Sequence, residues 1–119
     1  MYKTVKIGSK SIGAGLPCIV ISEIGAMYED MDGMKEMIKA SVDAGADAVK
    51  IQTYKAETIA HPDAEFEFED GSRMSQLEFF RKYEISEDGH RELMLFAKEL
   101  DTIFFSTPSD YADVDFLEG

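Results

Sequence analysis

Three short apolar segments alternate with stretches of helical periodicity along the whole chain. The segments are Cys18–Gly25, Asp47–Tyr54 and Thr102–Pro108, and each has the length and composition of a buried strand. Because strands that alternate with helices pair in parallel through right-handed crossovers, the pattern predicts an α/β fold with a parallel sheet. An open doubly wound sheet and a (β/α)8 barrel both satisfy it. Before the first strand, Lys3–Pro17 predicts a small β-hairpin and a loop.

Start and stop signals for helices lie between these strands. Asp32 is placed to cap the first helix, and Gly45 lies just past its end, where a positive φ is needed. Ser75 and Ser86 are placed to cap two later helices. The segment Lys55–Arg73 is predicted to be a long polar and aromatic loop. The side chains expected to face the core are Met34, Met37, Ile38, Ser41, Val42, Leu93, Phe96, Ala97 and Leu100.

Composition narrows the class of protein. Of the 119 residues, 45% are hydrophobic, so the chain has enough apolar side chains for a core. The formal net charge of −12 makes nucleic acid a poor partner, because phosphate backbones bind to faces that carry cations. No apolar run approaches the length of a membrane span, and the single cysteine cannot form an internal disulfide. We therefore expect a cytoplasmic protein without membrane partners, in which Cys18 is a small core residue.

Polar side chains gather at the carboxyl ends of the predicted strands. They are Glu23 on the first strand, Lys50 and Gln52 on the second, and Ser106 and Thr107 on the third. Both candidate architectures bind ligands at this end of a parallel sheet. No G-x-G-x-x-G motif follows the first strand, which counts against a dinucleotide-binding fold. A lysine within an otherwise buried strand indicates a cation held in a cleft for an anionic ligand.

Several blocks of the sequence occur in an order and at a spacing typical of one enzyme family. The blocks are ISEIG, GADAVKIQTYKAE, SQLEFFRKYEIS and FFSTPSD, together with the loop in IGAGLPCIVISEIG. Together they resemble the N-terminal part of the sialic acid synthase family. That family includes the N-acetylneuraminate, legionaminate and pseudaminate synthases and a spore-coat polysaccharide relative. The resemblance covers nearly the whole chain.

This resemblance implies a fold and a reaction. The family folds as a (β/α)8 barrel followed by a small antifreeze-like domain. Its members condense phosphoenolpyruvate with an N-acyl hexosamine, typically N-acetylmannosamine, to give a nine-carbon 2-keto sugar acid and phosphate. A divalent metal ion, manganese or magnesium, polarises the sugar aldehyde. The family's metal-binding histidines lie on later strands, so we interpret His61 and His90 as surface residues and expect no metal ligand in this chain.

The resemblance also assigns roles to the polar strand residues. Lys50 matches the family lysine that binds phosphoenolpyruvate, Gln52 a glutamine that faces the sugar, and Glu23 an active-site glutamate that contacts the sugar. Ser106 and Thr107 occupy the matching place on the third strand, where they would line the substrate site.

Two places depart from the family pattern. Many members continue EIG with an Asn-His-Asn-Gly-like turn, whereas this chain has Ala26–Asp30, which leaves the sugar specificity open. Related synthases can supply an asparagine to the sugar from the long loop, but Asp70–Arg73 contains none.

Length adds a further expectation. Because a complete barrel needs about 250 residues, we expect residues 1–119 to be an N-terminal fragment with about three βα units. It would lack the rest of the barrel and the antifreeze-like domain, and it would be inactive alone. An exposed strand edge would favour a homo-oligomer such as a dimer. Two alternatives remain: a related phosphoenolpyruvate-dependent aldol synthase for seven- or eight-carbon keto acids, and a non-catalytic, self-associating partial barrel.

Overall fold

A three-stranded parallel sheet is the centre of the computed structural model, which describes residues 3–26 and 30–119. In chain order the elements are β1 (Val5–Ile7), β2 (Lys10–Ile12), β3 (Ile21–Gly25), α1 (Met31–Asp43), β4 (Ala48–Thr53), α2 (Ala56–Ile59), β5 (Glu65–Glu67), β6 (Arg73–Ser75), α3 (Gln76–Tyr83), α4 (Glu87–Glu99), β7 (Ile103–Pro108) and α5 (Tyr111–Glu118). β3, β4 and β7 form the sheet in that order, while β1–β2 and β5–β6 are antiparallel hairpins. The predicted α/β fold with a parallel sheet and an N-terminal hairpin is confirmed.

Helices cover one face of this sheet. The side chains of α1 and α4 pack on β3 and β4, and α5 adjoins the same face because the ring of Phe116 meets that of His90 on α4. An open doubly wound sheet would carry helices on both faces. The opposite face carries the polar strand residues at its carboxyl end. The buried cluster beneath the helices consists of Ile24, Met34, Ile38, Val49, Ile51, Ile85, Leu93 and Ala97.

The helix ends follow the predicted capping chemistry with one correction. Asp30, not Asp32, caps α1: its carboxylate accepts a backbone N–H of the first turn at 2.6 Å. Asp30 has the extended backbone that a cap requires, whereas Asp32 lies inside the first turn, where a carboxylate favours the helix dipole. The predicted caps Ser75 and Ser86 are confirmed, and Gly45 adopts a φ of 88° just past α1.

The segment predicted as one long loop contains short elements. α2 and the β5–β6 hairpin lie within it or at its end, and each has only three or four residues. Aromatic rings join the hairpin to α3, with ring centroids of Phe66 and Phe79 5.1 Å apart and those of Phe66 and Phe80 5.8 Å apart. Elements of three or four residues are too short to show the hydrophobic periodicity of a helix or strand. The prediction of a single long loop was therefore wrong in part.

The first sheet strand begins later than predicted, at Ile21 rather than at Cys18. Just before it, the backbone N–H of Val20 donates to the carboxylate of Asp47 at 2.9 Å and not to a neighbouring strand. The expectation that Cys18 is a core residue is wrong, because this side chain is exposed. Within residues 3–26 and 30–119, no helix is both long and apolar enough to cross a membrane.

The β1–β2 hairpin lies at the amino end of the sheet. Lys10 forms an ion pair of 2.8 Å with Asp47, the residue immediately before β4. That contact, with the Val20 hydrogen bond, holds the pKa of the Asp47 carboxyl below its ordinary value. A Cβ on Gly8 would meet Cγ1 of Ile103 at 3.0 Å, so the hairpin turn packs directly on the first residue of β7. The hairpin thus leaves the carboxyl end of the sheet open.

Candidate functional site

Three of the predicted site residues meet at the carboxyl end of the sheet, on the face away from the helices. The Lys50 ammonium forms an ion pair with Oε2 of Glu23 and donates a hydrogen bond of 2.7 Å to Oγ1 of Thr107. The Lys50 ammonium on β4 therefore links side chains of β3 and β7, the other two strands of the sheet. The strand register explains the meeting, because Glu23 is paired with Lys50 across β3 and β4.

A bulge in β3 orients the glutamate. The register between β3 and β4 shifts between Glu23 and Gly25, and Gly25 adopts a φ of 61° that favours glycine. In this conformation the backbone N–H of Gly25 donates to Oε1 of Glu23 at 3.1 Å. One carboxylate oxygen is thus held by the backbone and the other by Lys50. The tripeptide Glu23–Gly25 therefore encodes this arrangement locally.

The Lys50 ammonium retains capacity for a ligand. Of its three N–H donors, Glu23 and Thr107 take two, counting partners among residues 3–26 and 30–119. The Thr107 hydroxyl, which accepts from Lys50, keeps its own O–H as a donor. The side chains of Lys50 and Glu23 are 26% and 39% exposed, and a pair this accessible contributes only about 0–1 kcal/mol to stability. The contact is therefore better suited to fixing a cation in place than to stabilising the fold.

The other two predicted site residues have different surroundings. Gln52 is exposed on the same face as Lys50, and the register pairs it with Thr107. Ser106 lies on the opposite face, where its hydroxyl contacts that of Thr53 at 2.6 Å. The structure therefore brings Gln52 near the Lys50 cluster and separates Ser106 from it. Of the turn in which the sequence departs from the family pattern, residues 27–29 lie outside the described residues.

The sequence pattern did not predict a network of buried polar groups around His90, on the helix side of the sheet. His90 is only 7% exposed, and the expectation that it is a surface residue is wrong. Its Nε2 lies 2.8 Å from Oγ1 of Thr53, and its Nδ1 lies 2.8 Å from the carbonyl oxygen of Ser86. The signal was present, because His90 precedes Leu93 and Ala97 at the i, i+3, i+7 spacing of the buried stripe.

Burial sets the charge state of this histidine. Loss of solvent lowers the pKa of His90 below its ordinary value of 6.5, and the Lys55 ammonium lowers it further. The hydrogen bond to Ser86 and the carboxylates of Asp113 and Glu87 act in the opposite direction without reversing the result. The lowered pKa therefore favours the neutral form of His90 at pH 7.

The lowered pKa predicts a pH-dependent stability. Between the folded pKa of His90 and its ordinary value of 6.5, the unfolded chain binds a proton that the folded chain does not. The free energy of unfolding should therefore fall as the pH decreases through this window, by up to about 1.4 kcal/mol per pH unit. Urea unfolding of the wild-type protein and of His90→Gln at about pH 7.5 and about pH 5.5 measures the difference. Equal pH dependence in the two proteins would contradict the prediction.

The described residues do not assemble a metal site by themselves. Across residues 3–26 and 30–119, no three histidine, cysteine, aspartate or glutamate side chains lie close enough to hold one ion. Glu23 could contribute one oxygen, but it is already held by Lys50 and by the backbone of Gly25.

Comparison with known proteins identifies the family. The model of the NeuB family matches residues 37–119. The chain belongs to the NeuB family. The NeuB match extends from within α1 to the last residue, so it includes Lys50 and Thr107, while Glu23 precedes it.

Individual relatives agree with the NeuB assignment. An N,N'-diacetyllegionaminic acid synthase from Legionella pneumophila is 36% identical over 115 residues, which are 92% of this chain and 32% of that protein. The human N-acetylneuraminate-9-phosphate synthase is 31% identical over 110 residues, covering 89% of this chain and 31% of that protein. A crystal structure of N-acetylneuraminic acid synthetase from Leptospira borgpetersenii superposes with a TM-score of 0.80 at 24% identity, over 99% of this chain and 38% of that chain. The last comparison bears on the fold alone.

These comparisons confirm the resemblance to the sialic acid synthase family. They also fix the extent of the match: the chain spans about a third of the length of the curated relatives.

Proposed function

We propose that this chain supplies part of the active site of an enzyme that condenses phosphoenolpyruvate with an N-acyl hexosamine. The products are a nine-carbon 2-keto sugar acid and phosphate. The observation that carries the proposal is the Lys50 ammonium, held between Glu23 and Thr107 at the carboxyl end of a parallel sheet. Relatives named as synthases of diacetyllegionaminic acid and of N-acetylneuraminate 9-phosphate support the same class of reaction.

The proposal includes a barrel architecture. The three strands of the parallel sheet lie side by side in the order in which they occur along the chain, β3, β4 and β7, and α1, α4 and α5 share one face of the sheet. We infer from it three successive units of a (β/α)8 barrel, a fold whose active site lies at the carboxyl ends of the strands. The face of the sheet that carries Lys50 would then line the barrel interior.

Lys50 and Thr107 are suited to the anionic substrate. Phosphoenolpyruvate carries a carboxylate and a phosphate, and the third N–H of Lys50 and the O–H of Thr107 offer two adjacent donors. A preorganised cation at the reacting centre stabilises charge that would otherwise require reorganised water. Gln52, exposed beside Thr107, offers an amide to the hydroxyl and N-acyl groups of a sugar. Glu23 holds the Lys50 ammonium in place through their ion pair.

The reaction itself requires no covalent bond to these residues. Carbon 3 of phosphoenolpyruvate attacks the aldehyde carbon of the open-chain sugar, and the aldehyde oxygen gains a proton. Water adds at carbon 2, and phosphate leaves as its C–O bond breaks, which gives the 2-keto acid. A divalent ion, when bound, would polarise the aldehyde. Because the described residues do not form its ligand set, we assign this chain only the binding and orientation of phosphoenolpyruvate and sugar.

The test is a condensation assay with the protein that carries this sequence. We expect phosphate and keto acid in equal amounts from phosphoenolpyruvate, manganese and an N-acyl hexosamine. A heavy-oxygen label in the bridging position of phosphoenolpyruvate should end in phosphate, because the C–O bond breaks. Turnover only with a sugar phosphate of four or five carbons would instead identify a synthase of seven- or eight-carbon keto acids. Label retained in the keto acid would contradict the mechanism.

A further inference from the structure

A row of three hydroxyl and imidazole groups lies directly behind the candidate site and has no role in the proposed chemistry. It runs from Ser106 through Thr53 to His90, with contacts of 2.6 and 2.8 Å. We propose that His90 is a positioning residue, which fixes the carboxyl ends of β4 and β7 and thereby holds Gln52 and Thr107 beside Lys50. The inference rests on the proposed function, because it assigns this network a part in binding phosphoenolpyruvate.

The hydrogen bonds of the row have one consistent direction. The Ser86 carbonyl can only accept, so Nδ1 of His90 carries the proton. Nε2 of the neutral ring is then an acceptor, and the Thr53 hydroxyl must donate to it. Since Thr53 has only one proton, the Ser106 hydroxyl must donate to Thr53. Each side-chain group therefore has a satisfied donor or acceptor, and the row has a single well-defined arrangement.

The row ties the two strands together where their backbone pairing ends. Thr53 is paired with Pro108, which has no N–H to donate to the ladder. The Thr53–Ser106 contact supplies a link at this point through side chains instead. Beyond the proline, the backbone N–H of Ser109 donates to the carbonyl of Thr53 at 3.1 Å. These two links between the ends of β4 and β7 both involve Thr53.

Alternation along a strand connects this row to the opposite face. Thr53 follows Gln52 and Ser106 precedes Thr107, so each anchored residue is the immediate neighbour of a residue on the Lys50 side. A rotation of the β7 end that released the row would also move the Thr107 hydroxyl from its place 2.7 Å from Lys50, and a rotation of the β4 end would move Gln52. Displacements of about 1 Å at a reacting site can cost about a hundredfold in rate.

The other end of the row is anchored in the first turn of α4. The Ser86 hydroxyl accepts the backbone N–H of Gly89 at 3.1 Å, and the Ser86 carbonyl accepts from His90. A Cβ on Gly89 would meet Cγ2 of Ile85 at 3.0 Å, so this turn is packed closely against its surroundings. His90 therefore connects the closely packed first turn of α4 to the carboxyl ends of β4 and β7.

Three substitutions separate the hydrogen bonds of His90 from its volume. The amide oxygen of glutamine can take the place of Nε2 and accept from Thr53, asparagine is too short to do so, and phenylalanine keeps only the ring. In the intact synthase, we expect His90→Asn and His90→Phe to raise the Kd and the KM for phosphoenolpyruvate by about five- to twentyfold, and His90→Gln by less than about threefold. Thr53→Val should have the same effect as His90→Asn, and combining the two should add no further loss.

Binding of phosphoenolpyruvate is measured by calorimetry below the thermal midpoint of each variant. A structural role alone would lower the thermal midpoints of the glutamine and asparagine variants without separating their affinities, and that result would overturn the inference. Additive effects of Thr53→Val and His90→Asn would also overturn it. Lys50→Ala serves as the reference: if it keeps wild-type affinity, the proposed function fails first. If Lys50→Ala loses affinity and His90→Asn does not, only the positioning role fails.

Discussion

On the proposed function, we expect Lys50→Ala to lower kcat/KM for phosphoenolpyruvate by about two to four orders of magnitude in the protein that carries this sequence, the scale of losing a preorganised charge contact. The substitution removes the cation that meets Glu23 and Thr107 and leaves a carboxylate facing an anionic substrate. The loss should therefore exceed that of a neutral contact. Steady-state kinetics with varied phosphoenolpyruvate and saturating N-acyl hexosamine give the value.

Lys39→Ala is the matched control for this experiment. Lys39 also forms an ion pair, with Asp43 at 2.6 Å, but both partners are exposed on the surface of α1, away from the sheet. Its removal takes one positive charge from the protein without touching the candidate site, so kcat/KM should stay within about twofold of wild type. Near-wild-type turnover by Lys50→Ala, or equal losses in the two variants, would refute the assignment of Lys50.

The second large effect concerns the core beneath the helices. Leu93 is fully buried between α4 and the sheet, and Leu93→Ala should lower the free energy of unfolding by about 2–5 kcal/mol. The cost combines the lost transfer of apolar surface from water with the cavity that remains. Urea unfolding followed by circular dichroism measures the change.

Leu95 offers a control two residues away on the same helix. It is 62% exposed, so Leu95→Ala removes the same atoms with little change in burial and should alter the free energy of unfolding by less than about 0.5 kcal/mol. The two substitutions have identical effects on helix propensity, and their difference therefore isolates packing. Similar losses for both would mean that α4 does not bury the face assigned to it.

Much of the candidate site could be predicted from the sequence because strand geometry is simple. Side chains alternate between the faces of a strand, and parallel strands end at a common edge, so Glu23, Lys50 and Thr107 could be expected on one edge. The same alternation separates Ser106 from Thr107, which the grouping of these two residues in the sequence had obscured. The alternation of side chains along a strand does not predict the bulge at Gly25, which orients the Glu23 carboxylate toward Lys50.

The fold features that sequence reasoning missed have tertiary causes. Cys18 lies in an apolar run, but the backbone of Val20 bonds to Asp47, so the chain joins the sheet only afterwards. His90 has the helical spacing of a core residue, yet its polarity favoured the surface. Its burial depends on hydroxyl and carbonyl partners from β4 and the start of α4, and a pattern read along one helix cannot supply these.

The two ends of the parallel sheet differ in function. At the amino end, contacts of Lys10 with Asp47 and of Gly8 with β7 attach the β1–β2 hairpin to the sheet. Because these contacts lie at the end of the sheet remote from the Lys50 ammonium, we expect that residues which pack equally well can replace them without altering ligand recognition at the carboxyl end. The carboxyl end has less freedom, since the Lys50 ammonium there is held by both Glu23 and Thr107. We therefore expect sequence differences that change the substrate of a relative to lie at the carboxyl end of the sheet. Differences that change thermal stability should lie at the amino end.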